Sequence, residues 1–339
     1  MSFVIRAARP EDVQPLYEMA KLTGGGFTNL PPDRATLLAK LEFASSAFAR
    51  DGELAEMADE TFVMVLENVE TGAVRGTSQL FTQVGQSWPF YSYRLTTLTQ
   101  QSAELERTVT AEMLVLANDL GGCSEVGGLF LHPSERAGGL GMLLARSRYL
   151  FIAAHRMRFA DRILAELRGI IDDRGSSPFW DAIGGKFFGM HFREADEFNA
   201  TRGNQFIADL MPKHPVYTAL LDEEARRVIG LPHPNGRAAM RMLENENFSY
   251  QGYVDIFDGG PTMLAQTDKI ASIKNAAQLP VVDTNLAKGE KALIASGRLA
   301  NFRCCYGARE IAENGIAMDS QAADILGVSQ GDMVWSIAR

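Results

Sequence analysis

The stretch GGLFLHPSERAGGLG at residues 127–141 constrains this chain most. An apolar segment ends at Leu131, and a loop with three glycines then leads into a long apolar segment over 141–160. A strand, a glycine-rich turn and a helix N-terminus commonly bind an anion, because the first N–H groups of the helix and its dipole favour negative charge. The stretch therefore predicts a phosphate-binding loop, and a ligand-free turn is the alternative.

Two familiar phosphate loops do not fit this sequence. The P-loop ends in Gly-Lys-Ser/Thr, whereas this loop ends in Leu140-Gly141-Met142. The dinucleotide fingerprint lies in a first βαβ unit, whereas this loop follows several predicted strands. The run Arg136-Ala137-Gly138-Gly139-Leu140-Gly141 resembles instead the acyl-CoA loop, Arg/Gln-x-x-Gly-x-Gly/Ala, of the GNAT superfamily of N-acyltransferases.

The order of predicted elements agrees with that resemblance. A strand and two helices come first, strands and the loop with its helix follow, and a strand over 162–170 and a helix over 177–190 come next. Strands over 91–99 and 112–119 are insertions in this order. We predict an α+β (mixed α/β) GNAT-like acyl-CoA N-acyltransferase domain over 1–260 and a small β-rich C-terminal module over 261–339.

Composition limits the partners that we expect. The chain has 42 acidic and 33 basic residues and a net charge of −9, which disfavours binding to nucleic acid. No run approaches the roughly 20 apolar residues of a membrane span, and the first residues do not resemble a signal peptide. Cys123, Cys304 and Cys305 lack the spacing of metal ligands. We expect a cytoplasmic protein with no metal and no membrane contact.

Longer segments resemble one family of that superfamily, the arginine N-succinyltransferases. The resemblance covers residues 1 to about 265, and its segments lie at 21–31, 147–196, 206–230 and 253–262. It implies transfer of the succinyl group of succinyl-CoA to the α-amino group of L-arginine in arginine catabolism, with ornithine as an acceptor in some relatives. It implies no permanently bound cofactor, and a homo-oligomer or a hetero-oligomer with a paralogous subunit. A non-catalytic partner subunit for assembly or regulation is the alternative.

The resemblance also implies which residues bind the donor. The loop would hold the pyrophosphate of CoA through Arg136, Gly138, Gly139 and Gly141. Leu129 matches the family's acyl-CoA contact. Backbone N–H groups at the position where this strand separates from its neighbour stabilise the oxyanion in such enzymes, and here they belong to Leu129, Phe130 and Leu131. On the following helix, Arg146 and Arg148 either screen phosphate charge or lie on a solvated face.

Charged side chains are needed at both ends of the reaction. A cationic acceptor requires carboxylates, and the candidates are Glu125, Glu166, Asp172 and Asp255. For Asp172, which precedes Asp173, a turn is the alternative. The free carboxylate of the succinyl group requires a cation, and Arg168 offers a bidentate partner. The alternative for Arg168 is a structural ion pair.

One histidine matches the family's proton donor. The run Val228-Ile229-Gly230-Leu231-Pro232-His233-Pro234 resembles Val-Ile-Gly-x-x-His-Pro, so the resemblance gives His233 the catalytic role. Pro232 and Gly236 differ from the residues usual in the family. A loop histidine between two prolines is the alternative. His155 lies among arginines in the predicted helix, and we expect its side chain to be exposed.

Overall fold

A computed structural model describes residues 2–23, 29–52, 57–136, 138–172, 174–202 and 205–339. Its helices are α1 Val13–Lys21, α2 Arg34–Ala49, α3 Leu140–Ala154, α4 Pro178–Ala182, α5 Gly184–Phe188, α6 Phe192–Arg202, α7 Gln205–Leu210, α8 Glu223–Val228, α9 Arg237–Asn245, α10 Ala271–Lys274 and α11 Ser320–Leu326. Its strands are β1 Phe3–Ala7, β2 Thr61–Asn68, β3 Val74–Phe81, β4 Ser92–Ser102, β5 Arg107–Ala117, β6 Ser124–Leu131, β7 Arg162–Glu166, β8 Val216–Tyr217, β9 Ser249–Val254, β10 Pro261–Gln266, β11 Ala277–Asp283, β12 Glu290–Ser296, β13 Arg303–Ala312, β14 Gly315–Met318 and β15 Met333–Ala338.

The first ten strands form a mixed sheet in the order β1-β2-β3-β6-β7-β10-β9-β4-β5-β8. Neighbours pair antiparallel except β6 and β7, which are parallel. The main core packs apolar side chains of α1, α2 and α3 against β1, β2 and β3, and Phe62 and Phe151 lie at its centre with ring centroids 4.9 Å apart. A second core surrounds the fully buried Trp180.

The last five strands close into a barrel. Their order is β12-β15-β11-β14-β13, and a further pairing joins β12 to β13. α11 covers this barrel with Ala322 and Leu326, and its N-terminus is capped by the side chain of Asp319. β13 also pairs with β1, so the barrel is continuous with the main sheet.

The pairing of β10 concerns the predicted boundary between the two domains. This strand begins at Pro261, the first residue assigned to the C-terminal module, yet it pairs with β7 and β9 of the main sheet. The boundary between 260 and 261 stays a prediction, and the pairing favours a later boundary, just before β11.

Two predicted helices are shorter than expected. The helix over 141–160 ends at Ala154, where the His155 ring bonds to the carbonyl of Phe151 at 2.9 Å. The helix over 177–190 divides into α4 and α5 at Ile183. The ring of Trp180 lies so close to Gly184 that a Cβ there would approach it to 2.5 Å.

Two absences concern the described residues alone. Among them, no helix is long and apolar enough to cross a membrane. Within the same part of the chain, no group of three or more His, Cys, Asp or Glu side chains is arranged to hold a metal ion. The cytoplasmic location stays a prediction.

Candidate active site

The glycine loop joins β6 to α3 through two left-handed residues. Gly138 has a φ of 68° and Gly139 a φ of 83°, a conformation that side chains with a Cβ rarely adopt. Arg136 is exposed, and Ala137 lies outside the described residues. The two glycines turn the chain so that the N-terminus of α3, with its free N–H groups, follows the end of β6 directly.

β6 separates from β7 after a short parallel contact. The two strands pair at Ser124↔Ile163 and Glu125↔Leu164, although β6 continues to Leu131. On its other edge, β6 pairs with β3 through a bulge near Gly127 and Gly128. A gap therefore opens between the distal part of β6 and β7.

Backbone groups of β6 point into this gap. The N–H of His132 donates to the carbonyl of Arg75 on the β3 side at 2.8 Å. Successive residues of a strand direct their backbone groups to opposite edges, so the N–H groups of Leu129 and Leu131 face the gap. Phe130 faces β3, opposite Thr77. Of the three residues predicted from the sequence, two are placed to donate to a ligand.

Glu125 lies in a polar cluster at the start of β6. Its residue is 8% exposed, and Asn29 hydrogen-bonds to its carboxylate. Lys40 donates to the carbonyl of Asn29 at 2.9 Å and to the side chain of Gln79 at 3.1 Å. Burial raises the pKa of Glu125 to about 7, against the charge of Lys40. Burial also lowers the pKa of Lys40 to about 8. This carboxyl therefore titrates near neutrality.

Glu166 faces the same region as Glu125. Glu125 pairs with Leu164, and Glu166 is two residues further along β7, so both carboxylates project from one face of the sheet. Burial raises the pKa of Glu166 well above its usual value, and three nearby carboxylates raise it further. They are Asp255, Glu125 and Asp258. A concentration of carboxylates of this kind favours a cationic ligand.

Asp255 and Asp258 stabilise the loop between β9 and β10 through hydrogen bonds to backbone N–H groups. Asp258 accepts hydrogen bonds from the N–H groups of Gly169 at 2.7 Å and Gly260 at 2.8 Å. Asp255 accepts from the N–H of Phe257 at 2.7 Å. These bonds occupy both carboxylates, so Glu125 and Glu166 remain the better candidates for a substrate.

Arg168 and His233 meet beyond the end of β7. The N–H of His233 donates to the carbonyl of Arg168 at 2.7 Å. The Nε of Arg168 is buried without a hydrogen-bond partner. Burial lowers the pKa of Arg168, against the charges of Asp258 and Asp196. A desolvated guanidinium with an unused donor suits an anionic ligand better than a structural role.

The ring of His233 is held by its own loop. Its Nδ1 accepts from the N–H of Asn235 at 3.2 Å, so the neutral ring carries its proton on Nε2. Burial lowers the pKa of His233, and the charge of Arg168 lowers it further. Nε2 therefore carries a proton in both protonation states, and only the protonated ring can release it as an acid.

One expectation about the predicted helix over 141–160 is wrong, and one of two alternatives is excluded. His155 is 5% exposed rather than exposed, because its Nδ1 bonds to the carbonyl of Phe151 and its Nε2 accepts from the N–H of Leu299 at 3.2 Å. Arg148 is buried at 3% exposure, and Arg146 bonds to Glu246 at 3.0 Å, so neither lies on a solvated face.

The sequence did not indicate several residues around the site. Lys40 and Gln79 come from α2 and β3 and carry no motif, whereas Asn29 lies inside the family-like segment 21–31. Tyr306 and Arg339 belong to the C-terminal barrel and donate to carbonyls of the glycine loop, each at 2.8 Å. These contacts join parts of the chain that are distant in sequence.

Comparisons with known proteins identify the family of this chain. The family "Arginine N-succinyltransferase beta subunit" matches residues 3–272, and its C-terminal domain matches residues 277–338. The chain belongs to this family. The resemblance stated from the sequence is thus confirmed, as are the GNAT-like fold and the assignment to the acyltransferases.

Individual relatives cover nearly the whole chain. The arginine N-succinyltransferase of Citrobacter koseri is 41% identical over 98% of this chain and 96% of its own length. That of Escherichia coli strain 55989 is 40% identical over the same shares. The solved structure of arginine/ornithine succinyltransferase subunit AI from Pseudomonas aeruginosa superposes with a TM-score of 0.90, at 31% identity over 99% of this chain and 98% of that one.

Proposed function

We propose that this chain is an arginine N-succinyltransferase that transfers the succinyl group of succinyl-CoA to the α-amino group of L-arginine. One observation carries the proposal: the gap between β6 and β7 has a glycine loop and helix N-terminus at one end and carboxylates, Arg168 and His233 at the other. The match of the family over residues 3–272 supports it.

The donor lies along the gap in this proposal. Its pyrophosphate binds the N–H groups between Gly138 and Gly141 at the start of α3, where the helix dipole favours negative charge. Arg136 is exposed beside the loop and is free to reach a phosphate. The N–H groups of Leu129 and Leu131 bind the pantetheine arm and the thioester.

The charged groups at the other end of the gap orient the succinyl group and the acceptor. Arg168 binds the free carboxylate of the succinyl group with its unused Nε. Glu125 and Glu166 bind the cationic acceptor. Charge complementarity at both ends holds the α-amino group against the thioester carbon.

The amine attacks the thioester carbonyl directly. The α-ammonium first loses a proton to water, the N–C bond forms, and backbone N–H groups in the gap stabilise the tetrahedral oxyanion. The C–S bond then breaks, and the protonated ring of His233 gives the CoA thiolate a proton from Nε2. The nitrogen of the new amide bond releases its extra proton to water, from which the ring of His233 takes up a proton again. The products are N-succinylarginine and CoA.

Titration and turnover together test the function. We expect isothermal titration to show binding of CoA, and purified chain to succinylate arginine from succinyl-CoA, with ornithine tested in parallel. Binding of CoA without turnover, restored by adding a paralogous chain, would favour the alternative of a partner subunit. The P. aeruginosa structure is described as a subunit, which is the reason for testing this alternative. No binding of CoA would refute the proposed activity of this chain.

A further inference from the structure

The C-terminal barrel reaches the glycine loop through two side chains. The hydroxyl of Tyr306, on β13, donates to the carbonyl of Gly139 at 2.8 Å. Arg339, which follows β15, donates from Nη2 to the carbonyl of Gly138 at 2.8 Å. The Arg339 guanidinium also lies 4.4 Å from the centre of the Tyr306 ring. The two side chains thus form one unit against the loop.

The backbone around Arg339 is itself fixed. Its N–H donates to the carbonyl of Lys291 at 2.9 Å, and Arg146 donates to the carbonyl of the preceding Ala338 at 2.9 Å. Arg146 lies on α3 and is anchored by Glu246 at 3.0 Å. The unit therefore rests on the barrel and on the helix that follows the loop.

These bonds determine where the loop's N–H groups point. A peptide group is planar and trans, so its carbonyl and the next residue's N–H point in opposite directions. Holding the carbonyls of Gly138 and Gly139 on the barrel side directs the N–H groups of Gly139 and Leu140 to the other side. The carbonyl of Gly139 also accepts from the N–H groups of Met142 and Leu143, at 3.0 and 3.1 Å, in the first turn of α3. Glycines with positive φ have many alternative conformations, so the bonds from Tyr306 and Arg339 add to this restraint and extend it to Gly138, which precedes the helix.

We propose that Tyr306 and Arg339 are positioning residues that hold the loop in the conformation that binds the pyrophosphate of the acyl-CoA donor. The inference rests on the proposed function and gives the C-terminal barrel a role in it. Neither residue needs to touch the reacting atoms. Their effect reaches the donor through the N–H groups of Gly139 and Leu140.

The test compares two donors. Succinyl-CoA carries the pyrophosphate, whereas succinyl-pantetheine lacks it and keeps the thioester. We expect Tyr306→Phe and Arg339→Gln each to raise KM for succinyl-CoA about 2- to 10-fold, the effect of one hydrogen bond, with kcat unchanged. Turnover of succinyl-pantetheine should be unaffected by either substitution. Tyr306→Phe keeps the ring, so the loss is confined to the hydroxyl.

A barrel arginine without a hydrogen bond to the described residues of the loop provides the control. Arg309 bonds to Ser336 at 2.8 Å and to Glu290 at 3.1 Å. Arg309→Gln should leave KM for both donors unchanged. Equal losses with both donors in Tyr306→Phe or Arg339→Gln would show a merely structural role, and an unchanged KM for succinyl-CoA would show no role. Either result overturns the inference, while turnover by the wild type still supports the proposed function. A wild type that does not use succinyl-CoA would refute both the inference and the proposed function.

Discussion

The backbone N–H of His233 donates to the carbonyl of Arg168 at 2.7 Å, which joins the loop before α9 to the end of β7. The bond places the candidate proton donor beside the candidate ligand of the succinyl carboxylate. The charge of Arg168 contributes to lowering the pKa of His233. Neutralisation of Arg168 by a bound succinyl carboxylate should therefore raise that pKa, so donor binding favours the protonated ring.

Replacing His233 tests its role as a proton donor. A general acid contributes roughly 10²- to 10⁴-fold in rate, so His233→Ala should lower kcat by about that factor. The Kd for succinyl-CoA, measured by titration, should stay nearly constant because the phosphates bind elsewhere. His214→Ala is the matched control, since His214 is exposed in a similar Lys-His-Pro setting. Full turnover in His233→Ala, together with loss of turnover in a folded His214→Ala, would identify His214 as the proton donor instead.

Replacing Arg168 tests recognition of the succinyl carboxylate. Arg168→Met should lose turnover of succinyl-CoA far more than affinity for CoA, and should partly gain turnover of acetyl-CoA. The same variant removes one of the two causes that lower the pKa of His233. In NMR titration of the ligand-free variant, that pKa should rise towards, but stay below, its usual value of about 6.5 because burial remains. Equal losses of CoA affinity and turnover would instead indicate a structural role.

The ionisation of Glu125 should make kcat/KM for arginine depend on pH. Its pKa of about 7 means that the carboxylate forms as pH rises through neutrality, so kcat/KM for arginine should rise over that range. Glu125→Gln should remove this rise and lower kcat/KM for arginine by about 10- to 100-fold, the effect of a charged hydrogen bond. The Kd for CoA should not change. A rise through pH 7 that persists in the variant would assign the titration to another group.

Gly141 offers a substitution in the loop that the fold tolerates. A Cβ at Gly141 would have its nearest contact at 3.8 Å, with Leu131, whereas Gly139 has a positive φ and would be strained. Gly141→Val should weaken CoA binding sharply in titration and leave the thermal unfolding temperature nearly unchanged. Met142→Val, a β-branched substitution at the next and exposed position, is the control. Unchanged CoA affinity in Gly141→Val would show that the loop does not bind CoA.

His155 should make stability depend on pH. Burial lowers its pKa to about 4 in the folded chain, whereas the unfolded value is about 6.5. Below pH 6.5 the unfolded chain takes up a proton that the folded chain does not, so stability falls with pH until about pH 4. This residue alone should cost about 2 kcal/mol of unfolding free energy between pH 7 and pH 5. Urea unfolding at both pH values checks this: His155→Gln should reduce the difference by that amount, and the exposed His214→Gln should not.

Local sequence patterns were enough to predict the family, the GNAT-like fold and the candidate residues. Gly138 and Gly139 mark a turn that few other residues can make, and the run around His233 is long enough to be distinctive. The same local signals misplaced the ends of two helices. The end of α3 depends on the ring of His155, and the break after α4 depends on close packing of Trp180 on Gly184.

Which of these residues come into contact depends on the packing of the whole chain. Glu125 and Glu166 share a face because β6 and β7 pair in parallel, and Arg168 meets His233 through a bond across 65 residues of chain. The pKa of about 7 for Glu125 comes from burial beside Lys40, and burial is a property of the packed state. The contacts of Tyr306 and Arg339 with the loop also carry no sequence signal. A hydrogen bond between distant residues depends on how the whole chain packs, and no local pattern records it.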